Sequence, residues 1–375
     1  VSTYRFIRPL VFALDPERAH HLTIDACARL GAFPPARAFA ARRWSSPDDP
    51  RLRTEIAGIS FSNPVGLGAG YDKSGEALPL LSRMGFGFLE VGSVSRWPSA
   101  GNAVRPRVFR LPADESVIVN YGVPNDGADA VAARVARGGS SVPVGVNIVE
   151  TNTGQTAEPA AIIAELVAAV ALFAPIASFF SISAECANAP GMHPLARIEN
   201  LARLLEAMAA HEPLPPVFVK LRVAPVDIDH VLRITERFPF VRGFRINTIS
   251  PRPYAGLNTP AARWEKMTGS LSSPLLGLPA MLASVSEWYR RADPDRYALI
   301  ASGGIRSGRD AYAALCAGAS LVQCVTALIF QGPALASRIN RELLQLLADA
   351  GAGNVREIVG TAAPVTRERQ SFKVS

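Results

Sequence analysis

The chain is short of lysine, cysteine and aromatic residues, and each shortage narrows what it can be. Four lysines, Lys73, Lys220, Lys266 and Lys373, stand among 39 basic residues, so the net charge of +7 is carried almost wholly by arginine. The four cysteines, Cys27, Cys186, Cys316 and Cys324, have no CxxC or zinc-type spacing. That excludes a disulfide framework and points to a reducing compartment. No uninterrupted apolar run reaches the roughly eighteen residues of a bilayer-spanning helix. There is no G-x-G-x-x-G, P-loop or metal-ligand cluster, so neither a nucleoside triphosphate nor a metal is expected. No arginine–aromatic stripe or nucleic-acid motif accompanies the basic charge, and no nucleic-acid partner is expected. The first 33 residues lack the apolar core and small-residue cleavage site of a signal peptide.

What is present is a long alternation. An apolar fraction of 49% over 375 residues allows one large core. Strand-like runs fall at 63–70, 88–93, 142–148, 178–183, 216–221, 242–247, 298–304 and 320–325. Helical patterns lie near 75–84, 127–137, 159–172, 194–210, 226–238, 277–291, 308–317 and 333–349. Eight strands alternating with eight helices predict an α/β chain folded as a (β/α)8 TIM barrel. The alternating segment 51–61 reads as a hairpin plugging the amino-terminal end. Residues 1–45 read as a separate helical extension, joined through "WSSPDDP" to a barrel spanning 46–375. Arg5, Arg8 and Arg18 flank apolar residues at helical spacing there, which suits either a membrane surface or an ordinary packed helix.

In such barrels the chemistry sits at the carboxyl ends of the strands. The polar residues at those ends are Lys73, Ser93, Asn147, 183–188, Lys220, Asn247 and Thr248, with Gly303, Gly304 and Thr326 after the last two strands. Glycines at 303 and 304, followed by "GASLVQCVT", make a phosphate site of the kind barrels build after strands seven and eight.

These residues carry a family resemblance. "LDPERAH" (14–20), "NPVGLGAGYDKSGE" (63–76), "GFGFLEVGSV" (85–94), "RPRVFRL" (105–111), "GVNI" (145–148), "FVKL" (218–221), "INT" (246–248) and "SGGIRSGRDAYAALCAGASLVQ" (302–323) resemble the quinone-linked, class 2 dihydroorotate dehydrogenases, in order and over most of the chain. The resemblance implies an FMN oxidoreductase of pyrimidine biosynthesis, with a helical extension that docks on the membrane from the cytoplasmic side and admits quinone. By matching position it implies Ala69, Gly70, Ser93, Asn147, Lys220, Gly269, Gly304, Val325 and Thr326 around FMN. Lys73 is implied at the substrate carboxylate and flavin, Asn247 and Thr248 at the substrate, and Arg18 and His20 facing quinone. The segment "SISAECANAPG" (181–191) implies Cys186 as catalytic base, as in the soluble class 1 enzymes, and Asn188 at the substrate amide. A thiol with an ordinary pKa near 8.5 needs only modest electropositive surroundings to serve.

The departures are concentrated. "IVNYGVPN" (118–125) replaces the family's I-N-R-Y-G-F-N-N, so Val119, Asn120 and Val123 stand where asparagine, arginine and phenylalanine are expected, with Asn120 able to substitute after a one-residue shift. Val149 and Glu150 replace a Gly-Lys pair, and Glu185 replaces a serine. Losing paired amides costs selectivity for a pyrimidine edge, while added carboxylates suit a cationic group. The leading expectation is therefore an FMN enzyme of this family acting on a CH–CH or CH–N bond in a small molecule other than dihydroorotate. A true dihydroorotate dehydrogenase and a flavin-binding protein without turnover remain the alternatives. The electron acceptor, quinone or another oxidant, is left open.

Overall fold

Alternate residues of eight short strands point into one closed barrel, and that periodicity decides what lies beneath the candidate site. The computed structural model describes residues 4–155, 157–183, 198–222, 226–248, 252 and 254–363. Helices α1 (Tyr4–Ala13), α2 (Pro16–Ala32) and α3 (Pro34–Trp44) come first. The Asp15 carboxylate caps α2 by accepting from the Arg18 amide at 2.9 Å, and Pro16 takes a first-turn position where no N–H is needed. A hairpin follows, β1 (Thr54–Ile56) and β2 (Ile59–Phe61).

The barrel begins with β3 (Val65–Leu67), α4 (Leu78–Leu81) and β4 (Phe88–Val94), then leaves the barrel wall through β5 (Val108–Leu111) and β6 (Ser116–Val119). It resumes with α5 (Ala128–Ala136), β7 (Val144–Ile148), α6 (Pro159–Phe173), β8 (Phe179–Ser183), α7 (Ile198–Ala209), β9 (Val217–Arg222) and α8 (Ile228–Thr235). The last part is β10 (Val241–Asn247), β11 (Ser270–Ser272), α9 (Pro274–Arg291), β12 (Ala298–Ser302), α10 (Gly308–Cys316), β13 (Leu321–Cys324), α11 (Thr326–Gln331) and α12 (Leu335–Asp349). Strands β3, β4, β7, β8, β9, β10, β12 and β13 close in that order into a parallel barrel, the (β/α)8 fold expected from the sequence. An antiparallel sheet, ordered β11-β6-β5, stands over the barrel's carboxyl end. It was not foreseen, because its strands of three and four residues are too short to show a period.

Inside the barrel the first layer is apolar. Phe61 of the hairpin packs on Phe88, Phe179, Phe218, Ile300 and Leu321, so the hairpin does plug this end. The rings meet edge to face, with centroids 5.4 to 5.9 Å apart along the series Phe61, Phe88, Phe179, Phe218. They fit because the neighbouring inward positions are glycine: a Cβ on Gly66 would lie 2.2 Å from the Phe88 ring, and one on Gly145 2.1 Å from the Phe179 ring. Two residues further along every strand the same face carries Gly68, Glu90, Asn147, Ser181, Lys220, Arg245, Ser302 and Gln323. The interior thus changes from hydrocarbon to polar groups within one step of about 6.6 Å, two residues of strand rise. Outward residues pack under the helices, as Phe244 does against Trp288 at 4.4 Å.

Among the described residues no helix is long and apolar enough to cross a membrane. Adding one methyl to the apolar layer tests its fit. Gly145→Ala is expected to cost about 1–3 kcal/mol through overpacking, read as a lower urea midpoint, and Phe179→Leu in the same chain should recover part of the loss because the two side chains share one space.

Candidate active site

One cavity of about 1060 Å³ runs from the inner faces of α1–α3 to the carboxyl ends of the barrel strands. Single small ligands occupy roughly 300–1,000 Å³, so this space can hold a cofactor and a second molecule. At the barrel end Ala69, Gly70, Ser93, Lys220, Gly304, Val325 and Thr326, all expected around FMN, border it. Asn147 and Gly269 do not. Asn147 is fully buried behind Ser93, whose hydroxyl donates to its Oδ1, while its Nδ2 donates to the Ser181 carbonyl at 3.1 Å. Gly269 serves the sheet above: its φ is 110°, and a Cβ would lie 2.4 Å from the Val119 carbonyl oxygen. Its neighbour Ser270 reaches the cavity instead.

One corner suits a phosphate. Gly303 and Gly304 turn with φ of 122° and 78°, and a Cβ on Gly304 would sit 2.7 Å from the Leu278 backbone nitrogen. Glycine therefore lets this turn lie directly against the first turn of α9. Ser273, at the N-cap of α9, borders the cavity and is buried, with no hydrogen-bond partner for its Oγ. A buried hydroxyl left so is uncommon and marks a place where a ligand oxygen fits. Beside it the Ser272 and Thr326 hydroxyls stand 2.8 Å apart.

Lys73 reaches the middle of the cavity. Its Nζ lies 2.8 Å from His20 Nε2 and 4.3 Å from the centre of the Tyr121 ring. It borders the cavity, and burial pushes the ammonium pKa down to about 8. Burial, then the Lys73 and His21 charges, hold His20 well below its ordinary value, so His20 is neutral and accepts from Lys73. Asn247 and Thr248, expected at the substrate, also border the cavity. Asn120 does not: its Nδ2 donates to Thr268 Oγ1 at 3.1 Å, and its Oδ1 accepts from Asn102 at 3.0 Å. Val119, Tyr121, Val123 and Pro124 line this wall instead. Cys186, Glu185 and Asn188 lie outside the described residues.

Two more of the expected residues do not border the cavity. Arg18 is exposed on α2. The arginine at the helical end is Arg110 of β5, which borders the cavity and donates to the carbonyls of Val11 and Phe12 at 3.2 Å and of Leu14. These carbonyls lie at or just beyond the end of α1, where the helical hydrogen-bond ladder runs out. Nothing in a sequence period marks Arg110; only its place in "RPRVFRL" could have flagged it. Glu150, expected among the carboxylates of the substrate side, is buried and does not border the cavity. Burial, with the Glu165 charge, raises its pKa to about 7, so it is no ready anion for a cationic ligand.

The extension is tied down on the same side. Arg107 meets Glu17 of α2 through Nε at 3.2 Å and through Nη2, both side chains being buried. Burial alone would raise the Glu17 pKa, but the Arg107 hydrogen bond together with the charges of Arg107, Arg105 and His21 holds the carboxylate below its usual range.

The family model for dihydroorotate dehydrogenase matches residues 51–347. The chain belongs to the dihydroorotate dehydrogenase family. It is 40% identical to the dihydroorotate dehydrogenase (quinone) of Acidithiobacillus ferrooxidans over 96% of this chain and 100% of that one. It is 34% identical to the protein of the same name from Mycobacterium tuberculosis, over 96% and 98%. Among solved structures, the dihydroorotate dehydrogenase of Eimeria tenella in complex with ferulenol superposes with a TM-score of 0.81 at 28% identity, covering 94% of this chain and 98% of that one. As a dihydroorotate dehydrogenase family member the chain is an oxidoreductase, and the cavity at the carboxyl ends of its strands is the candidate active site.

Glu150 provides a pH signature. Its folded pKa of about 7 lies above the ordinary 4.5, so the folded state holds a proton that the unfolded chain releases earlier. Stability is then fully present below pH 4.5 and declines as pH rises to about 7. Glu150→Gln should flatten that decline, by on the order of 2 kcal/mol, in urea titrations run at steps across this range.

Proposed function

We propose that this chain oxidises the CH–CH bond of dihydroorotate with bound FMN and passes the electrons to a quinone. The observation that carries the reading is the continuity of the cavity. One end holds Asn247, Thr248 and the glycine-rich turn, Lys73 stands between, and the other end is lined by apolar residues of α1–α3. The unpartnered Ser273 hydroxyl, the Ser272–Thr326 pair and Gly303–Gly304 fit the phosphate of FMN. When bound, FMN supplies a hydride acceptor at N5 and a two-electron donor for the acceptor substrate.

The residues have distinct tasks. Lys220 provides a fixed cation for negative charge on the reduced cofactor. Lys73, held near pKa 8 by enclosure, regains full charge on meeting a substrate carboxylate, and His20 takes its hydrogen bond in the meantime. Cys186, as thiolate, takes a proton from the carbon next to the one that loses hydride, and Asn188 pairs with the substrate amide. Sγ would keep that proton, the C–H electron pair it leaves would become the new C=C bond, and the neighbouring hydride would pass to bound FMN, so the step balances.

A peripheral membrane setting on the cytoplasmic side is part of the proposal. Phe6, Ile7, Leu10, Leu14, Leu22, Leu30, Phe33 and Phe39 are exposed on the extension, beside Arg5, Arg8 and Arg18. Apolar side chains with interspersed cations suit the interface of an anionic bilayer. Phe6→Glu with Leu10→Glu should remove most binding to anionic phospholipid vesicles in co-sedimentation, with bound flavin unchanged. Equal sedimentation of both proteins would refute the docking role.

A second reading is favoured by one wall. Val119, Val123 and Pro124 line the cavity where amides would read a pyrimidine edge, and Asn120 is turned away. The relatives' names support no change of substrate, and the burial of Glu150 removes one ground for it. Anaerobic mixing with dihydroorotate decides between the two. Bleaching of the flavin within seconds is expected, while bleaching by dithionite alone would favour a changed substrate. Cys186→Ala should slow the bleaching by about 10²–10⁴-fold and leave reoxidation by quinone unaltered. An unchanged rate would remove Cys186 as base.

A further inference from the structure

The polar layer beneath the cavity holds a second cation that no step above uses. Arg245 on β10 is the register partner of Lys220 on β9, so the two cations stand on adjacent strands of the barrel interior. The Arg245 side chain is 3% exposed; its Nη1 meets Glu90 Oε1 at 3.1 Å and its Nη2 meets Ser302 Oγ at 3.5 Å. Gln323 Nε2 completes the set by donating to Glu90 Oε2 at 2.5 Å. Arg245 and Gln323 border the cavity and Glu90 does not, so the positive end of the pair faces the ligand space. A Cβ on Gly68 would lie 3.3 Å from both Arg245 Nη2 and Gln323 Oε1, a tight contact that would press on both side chains. Arg245 Nε and Gln323 Oε1 are buried with no protein partner, one donor and one acceptor. Packing does not demand this set. Apolar residues of similar volume stabilise an interior at least as well as a buried ion pair, and the layer one step below is apolar.

We propose that Arg245, oriented by Glu90 and Gln323, forms a charged floor under the cofactor that favours its reduced, anionic form and so sets its midpoint potential. This rests on the FMN reading above. Arg245 is a tuning residue: its full charge favours reduction, and the Glu90 carboxylate behind it tempers that effect. The two therefore oppose each other, which a merely structural pair would not do.

The test is the midpoint potential of bound FMN, measured by equilibration with reference dyes in the full chain. Arg245→Gln should lower the preference for reduced over oxidised flavin by about tenfold or more, about 30 mV for a two-electron couple. Glu90→Gln should shift it the opposite way, and Arg245→Lys should stay near wild type. Shifts of the same sign in the two glutamine variants, or potentials equal to wild type with flavin bound, overturn the proposal. Should Arg245→Gln fail to hold flavin, the sign in Glu90→Gln decides alone: a rise supports the proposal and no rise overturns it. Wild-type protein that binds no FMN overturns the cofactor reading itself, an outcome distinct from bound flavin with unmoved potentials.

Discussion

The two-residue period of the strands is the constraint on which the rest of this molecule depends. Because side chains alternate in and out, the eight inward positions two residues beyond the apolar layer form one polar band, stepped between neighbouring strands, around the barrel interior. The lower level is filled by rings against glycines, which makes it rigid and dry. The upper level must then be the floor of whatever lies at the barrel mouth. Its residues, from Glu90 round to Gln323, cannot reach bulk water through that plug. Asn147 pairs with Ser93 and the Ser181 carbonyl, Glu90 pairs with Arg245 and Gln323, and Lys220, Arg245, Ser302 and Gln323 border the cavity.

The helical extension is part of the same enclosure. Glu17–Arg107 joins α2 to the approach of β5, Arg110 satisfies the carbonyl end of α1, and Tyr4 donates to the Ile329 carbonyl at 2.8 Å. These contacts link elements about 90 to 325 residues apart in sequence, so α1–α3 sit on the cavity as a fixed wall. The consequence is electrostatic. Lys73 and His20 come from the barrel and the extension respectively, and both are desolvated by the meeting of the two.

The eight barrel strands and the plugging hairpin were legible in the sequence because long alternations of apolar runs have few other solutions. The glycine-rich turn at 303–304 was legible for the same kind of reason: two glycines after a strand have a steric meaning. The small antiparallel sheet was not, since "VFRL", "SVIV" and "SLS" carry no period. That loss had a cost at the site. With Val119 paired to Ser270, Asn120 follows the strand away from the cavity and Gly269 is used by the sheet. Matching residues by position ignores such displacements, as it did for Arg18 and Arg110. Arg245 was within reach: it stands two residues before Asn247 in "RGFRIN", hence on the same face.

The distribution of cations gives the site its logic. Lysine can lose its proton when buried, whereas the arginine guanidinium stays charged and must be given a partner. At Lys73, the accepting neighbour among the described residues is neutral His20, and burial brings the pKa to about 8. That charge is conditional and strengthens when an anion arrives. At Arg245, burial also disfavours the charge, but Glu90 opposes the loss, so the charge is permanent. A conditional cation belongs where substrate comes and goes with its carboxylate. A permanent one belongs where a resident group needs a constant field. The chain has placed each kind accordingly, one at the cavity wall shared with the extension and the other in the barrel floor.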